Sequence, residues 1–143
     1  MHRILLIAGQ FLFAAAIVLS VDWWPVPWST IMLGAPGILL AVWAWLTIGL
    51  RRIRIHPETT DQTRLVISGP YRIVRHPMYS GLLWFTLAIA GMNLTLWRVL
   101  AWAALLAILL AKIKEEEKSL VSRFKDYPAY KHEVGAIIPR LVN

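Results

Sequence analysis

The chain has 143 residues, enough for one domain, with a hydrophobic content of 58% and a mean hydropathy of +0.58; an ordinary soluble fold is excluded, because so much apolar surface needs lipid. The formal charge of +7 does not mark a nucleic-acid surface, since the basic residues stand between apolar runs and are not interleaved with exposed aromatics. The absence of cysteine removes disulfides, thiolate zinc sites and cysteine nucleophiles together.

Ile4 to Val21 is an apolar run broken only by Gly9, Gln10 and Ser20, about the length that crosses a bilayer as a helix. A signal peptide is the rival reading, because His2 and Arg3 precede the run, but its length and the further apolar runs favour a span. The link from Asp22 to Ser29 holds Pro25, Pro27 and three of the eight tryptophans and lacks Lys and Arg, so it reads as an extracytoplasmic turn at headgroup level. Ile31 to Leu50 is the second expected span. The block Arg51, Arg52 and Arg54 then fixes its far end in the cytoplasm.

A polar loop over residues 51–78 follows, with a short extended piece predicted at Thr63 to Ile67 and a turn at Ser68-Gly69-Pro70. Tyr79 to Ala90 is apolar but short for a crossing, and Gly91-Met92-Asn93 reads as a turn before Leu94 to Ala111, so the two runs are expected to form a tight helical hairpin. Ala103, Ala107 and Ala111 recur every four residues and predict a smooth ridge for close helix packing. Beyond Ala111 no helix breaker appears until Pro128, so the last span is expected to run on as an amphipathic cytoplasmic helix over 112–127. The fold class is therefore all-α, an integral membrane helical protein of about four spans at 4–21, 31–50, 79–90 and 94–111, with both ends in the cytoplasm.

Two segments can carry chemistry. In the first, Gly69 to Gly81, Pro77 disfavours helix at His76 yet suits the first turn of a helix, which puts His76 at the N-cap position beside Arg75. Free N–H groups, a positive dipole end and a fixed cation there suit an anion. The bland alternative is that Arg72 and Arg75 only set orientation and His-Pro only starts a helix. In the second, helical phase separates three adjacent acids: Ile113, Leu120, Phe124 and Tyr127 share a face with Glu117 in its middle, Glu116 borders it, and Glu115 points to water. A carboxylate on a packing face that has just left the bilayer is costly without a partner or ligand. Lys112 and Glu116, one turn apart, have the spacing of a weak surface ion pair. Both segments belong on the cytoplasmic side, so Arg75, His76, Glu116 and Glu117 are expected to converge.

At these residues the chain resembles the isoprenylcysteine carboxyl methyltransferase and phospholipid methyltransferase group of membrane enzymes. The shared words are Leu65-Val66, Ser68-Gly69-Pro70-Tyr71, Arg75-His76-Pro77-Met78-Tyr79-Ser80-Gly81, then Glu116-Glu117 with Leu120, Phe124, Tyr127, Tyr130 and Ile138-Pro139. The resemblance implies a small helical membrane enzyme that binds S-adenosylmethionine through Arg64, Leu65, Val66, Tyr71, His76, Pro77, Met78 and Tyr79, with Glu116 closing the site. It further implies methyl transfer to a lipophilic, membrane-partitioned acceptor, either an isoprenylcysteine-like carboxylate or a lipid amine. Lys112 and Arg75 are the candidate cations for holding a carboxylate, and Glu116 and Glu117 the candidate bases for an amine. Lys112 stands where isoprenylcysteine methyltransferases have arginine and lacks its two-pronged grip on a carboxylate; His56 stands near a cofactor-contacting glutamine of the eukaryotic enzymes.

Two other readings stay open at this level. A nicotinamide-dependent, sterol-reductase-like enzyme shares the His-Pro-X-Tyr pattern but usually has Asn where Met78 stands. A non-enzymatic small membrane subunit predicts no cofactor binding for His76 or Glu117 to support.

Overall fold

The computed structural model describes residues 2–53 and 65–140. Arg64, His56 and the start of the predicted extended piece fall outside these residues; Leu65, Val66 and Ile67 carry no regular secondary structure. Among the described residues the fold is all-helical: α1 His2–Leu19, α2 Trp28–Ile53, α3 Pro77–Ala90, α4 Leu96–Arg123 and α5 Tyr127–Glu133, with single 3₁₀ turns at Gly69–Arg72 and Gly91–Asn93.

Three of the four expected crossings, α1, α2 and α4, are helices long and apolar enough to span a membrane. The remaining one, α3, has 14 residues, about 21 Å of rise against about 30 Å of bilayer core. It ends where Gly91 opens the 3₁₀ turn into α4, so α3 and α4 form the predicted hairpin.

Side-chain identity explains the order of packing. α2 lies on α3, α3 on α4 and α4 on α1, which also touches α3. At the α2–α3 crossing, a Cβ on Gly37 would lie 2.7 Å from the Gly81 carbonyl oxygen, and one on Gly81 would strike the Gly37 carbonyl, so two glycines bring these backbones together. Contacts between Gly9 and Ile108, Gln10 and Lys112, and Ser20 and Arg98 fix α1 antiparallel to α4. The core between α1, α3 and α4 is built from Ile17, Leu83, Ile89, Ala101, Leu105 and Leu109. The alanine ridge is not the packing face: Ala103 and Ala107 are exposed while Ala101, Leu105 and Leu109 are buried. Larger side chains fill the space between α4 and its neighbours and remove more apolar surface than a closer alanine contact.

Arg98 stands at the other end of the bundle and was given no role by its sequence context. It is buried, donates to the Ser20 hydroxyl at 3.1 Å, to the Ser20 carbonyl and to the Asn93 carbonyl, and lies 5.5 Å from the Trp97 ring centroid. A buried guanidinium is tolerable only when its donors are satisfied. Here they clamp the end of α1 to the hairpin turn.

At the opposite end α4 continues without a break to Arg123. The single helix expected over 112–127 stops there: Phe124 is extended and α5 starts at Tyr127. Pro128 has no N–H to give to Phe124 and disfavours helix at the residue before it, so the chain must turn. α5 returns toward α3, and the tail beyond it forms a parallel bridge between Val74 and Gly135. The N–H groups of Arg75 and His76 donate to the Gly135 and Ala136 carbonyls at 2.8 and 2.9 Å, and the Ser80 hydroxyl donates to the Ile137 carbonyl at 2.8 Å.

Candidate active site

Local backbone chemistry builds the first wall of the site. Gly69 has φ of +62°, the left-handed region open to glycine, and starts the 3₁₀ turn that buries Pro70 and Tyr71. Tyr71 is held from above, its carbonyl accepting the Tyr130 hydroxyl at 2.5 Å. Burial pushes the phenols of Tyr71 and Tyr130 up to about 12, so both remain neutral hydroxyls. His76 occupies the N-cap position of α3 with Pro77 in the first turn, as its sequence context predicts. Its ring stacks on Tyr79, centroids 5.7 Å apart and planes within 8°.

α4 supplies the second wall, and here the neighbouring acids part company. Glu116 faces a cavity: it accepts the Tyr79 hydroxyl at 2.6 Å and lies 3.6 Å from His76 Nδ1, with 44% of its side chain exposed. Glu117 faces away and is 7% exposed. It lies 2.7 Å from Arg75 Nη2, 2.7 Å from Lys131 Nζ and 3.4 Å from His76 Nε2. One imidazole therefore joins the two acids, one nitrogen to each. Burial lowers the His76 pKa, while the adjacent Glu116 and Glu117 carboxylates oppose that shift without cancelling it.

Arg75 also donates to the Lys131 carbonyl at 3.0 Å and to the Val134 carbonyl. All three of its nitrogens are thus engaged by the chain itself, and its guanidinium organises α4, α5 and the tail. Lys112 does not pair with Glu116 despite the one-turn spacing. It donates to Gln10 Oε1 at 2.5 Å and stands 4.8 Å above the Tyr79 ring. An amide inside an apolar span is a sign in the sequence that this part of α1 meets something polar.

These walls enclose a cavity of about 560 Å³, within the usual range for a small-molecule site. Leu65, Val66, Tyr71, Arg75, His76, Pro77, Met78, Tyr79, Lys112 and Glu116 all line it; Glu117 does not. Ile7, Gln10 and Phe11 of α1 and Ile48 of α2 also line it, contributed by spans that carry no motif and so are not legible as site elements. The Tyr127 hydroxyl is buried beside the Arg75 guanidinium at the edge of the cavity. Lys131, which closes the ion network around Glu117, sits in a polar helix where its sequence context gives no signal.

The sequence profile of the isoprenylcysteine carboxyl methyltransferase (ICMT) family matches residues 30–122, a stretch that includes α3, the His76 corner and Glu116 and Glu117 of α4. The chain is also 28% identical over 131 residues to the cobalt-zinc-cadmium resistance protein CzcN of Cupriavidus metallidurans, an alignment covering 89% of this chain and 58% of that protein. The chain thus spans little more than half the length of this relative. No solved structure matches it.

Proposed function

Because the chain belongs to the isoprenylcysteine carboxyl methyltransferase family, we propose that this membrane methyltransferase uses S-adenosylmethionine to methylate an amphiphilic acceptor drawn from the bilayer, with its site facing the cytoplasm. The observation that carries the reading is the convergence of His76, Tyr79, Lys112 and Glu116 on one cavity of about 560 Å³ with apolar helix walls. The orientation rests on the basic block from Arg51 onward.

The lining fits such a cofactor. Leu65, Val66, Pro77 and Met78 offer an apolar surface for a purine, and Tyr71 and Tyr79 add aromatic rings. The Glu116 carboxylate can accept from a ribose diol. When bound, the cofactor supplies an activated methyl group on sulfur together with its own leaving group.

The protein's own work is then to position the acceptor, exclude water and manage one proton. The Lys112 ammonium, fixed between Gln10 and the Tyr79 ring, can orient an anionic acceptor. A carboxylate needs only that, whereas an amine must lose a proton, for which Glu116 is the accessible base. Glu117, committed to Arg75 and Lys131, has a positioning role. Ile7, Phe11 and Ile48 give the cavity an apolar side along which a lipid tail can lie.

The test is calorimetric titration of detergent-purified protein with S-adenosylhomocysteine. Saturable binding that weakens about tenfold in Glu116→Gln is expected, in line with losing a hydrogen bond to a charged group. Absence of binding to the folded wild-type chain would sink the reading. Cofactor-dependent methylation of farnesyl-cysteine analogues, but not of soluble carboxylates, then tests the acceptor class.

A further inference from the structure

A second recess, about 410 Å³, lies beside the cavity, between the first turns of α1 and the last turns of α4. It shares Ile7, Lys112, Glu116 and Leu120 with the cavity, but its own character comes from Arg3, Glu115, Ser119 and Arg123 over an apolar floor that includes Leu6. The α4 contributors recur at positions 112, 115, 116, 119, 120 and 123, one face of a helix. Opposite them stand Arg3, Leu6 and Ile7, one turn apart on α1.

We infer that this recess binds the headgroup of an acidic lipid, with Arg3 and Arg123 gripping its phosphate. Three cations line it against two acids, and the groups are not equally free. Glu116 is engaged by Tyr79 and His76, and Lys112 by Gln10. Neither Arg3 nor Arg123 takes part in an ion pair among the described residues. Two uncommitted guanidinium groups therefore face one half-buried acid, Glu115, and a serine hydroxyl. Guanidinium suits phosphate because its donors form a planar fork.

Depth argues for a lipid as the source of that phosphate. Gln10 is level with Lys112 and the two helices run antiparallel, so Arg3, seven residues before Gln10, comes level with Ser119, seven residues after Lys112. The apolar run of α1 begins at Ile4, so this level is the boundary between hydrocarbon and headgroups. Ile4 and Leu5, 70% and 64% exposed beside Arg3, offer acyl chains a surface next to the recess. Basic pockets between membrane helices at this depth are known takers of acidic lipid heads. A lipid seated there would tie α1 to α4 across the gap that Gln10 and Lys112 also bridge.

The experiment follows thermal unfolding of the purified protein in a neutral detergent with added phosphatidylglycerol, phosphatidylcholine of the same chains, or inorganic phosphate. Phosphatidylglycerol is expected to raise the midpoint, phosphatidylcholine to do so much less and inorganic phosphate not at all. In Arg3→Gln and Arg123→Gln the apparent lipid affinity should fall about fivefold each, the scale for one basic residue at a membrane surface; Arg140→Gln, which removes an exposed cation elsewhere, should bind as wild type. Equal response to both lipids, a full response to phosphate alone, or an equal loss in Arg140→Gln would each overturn the inference. None of these readouts depends on methyltransfer.

Discussion

Glu116 and Glu117 are consecutive residues on one helix, yet they belong to two regions with opposite physics. On the Glu116 side, a partly exposed acid, a stacked histidine and tyrosine, and a tethered lysine surround open space. On the Glu117 side an acid is buried among two cations and the imidazole, and the recess of about 500 Å³ beside it lacks the histidine and tyrosines of the first. The difference teaches that charge alone does not mark a reactive group. A carboxylate whose lone pairs are already taken by Arg75 and Lys131 holds the fold, and one that stays 44% exposed can meet a ligand.

The comparison can be broken most directly at Glu117. Glu117→Gln leaves the Arg75 guanidinium buried without its counter-charge, and should cost about 3 kcal/mol or more of stability in detergent unfolding. Any loss of ligand binding should track the loss of folded protein; a fully stable variant that binds nothing would place Glu117 in the site after all. Next in size, Glu116→Gln should change stability by about 1 kcal/mol or less, since its side chain is 44% exposed, while weakening S-adenosylhomocysteine binding about tenfold by titration. Equal destabilisation in the two variants would erase the distinction between the regions.

Lys112 sharpens the functional side. Lys112→Met should raise KM for a carboxylate acceptor by about tenfold and leave the affinity for S-adenosylhomocysteine within about threefold, whereas Lys112→Arg should retain most of the acceptor affinity. A large effect of Lys112→Met on cofactor affinity with none on the acceptor would reverse the assignment.

The smallest expected effect is on pH dependence. His76 in the fold has its pKa lowered below the ordinary 6.5, chiefly by burial. Below pH 6.5 the unfolded chain therefore takes up a proton that the folded protein still refuses. Its contribution to stability is complete above that pH and declines as pH falls toward the folded-state value. Unfolding measured across this window should show the decline in wild type and a flatter profile in His76→Gln.

Much of this organisation is written in local residue patterns. The apolar runs dictate helices in lipid, because no water is available there to satisfy an open backbone. Pro77 and Gly91 bound α3, and helical phase alone turns Glu117 inward and sets Glu116 at the border. Those features depend on residues within a few turns of each other, which is why they are legible without a fold.

What tertiary structure decided are the pairings between residues far apart in the chain. Gln10 reaches Lys112, Lys131 closes on Glu117, and the strand-like tail at Gly135 bridges to Val74. Two spans without any motif supply walls of the cavity, and Arg75, an apparent substrate cation, is consumed by the protein's own carbonyls and acid. The physical reason is that a polar group's role depends on which partners remain for it once every buried donor and acceptor has been satisfied, and that account is settled only when all the helices have met.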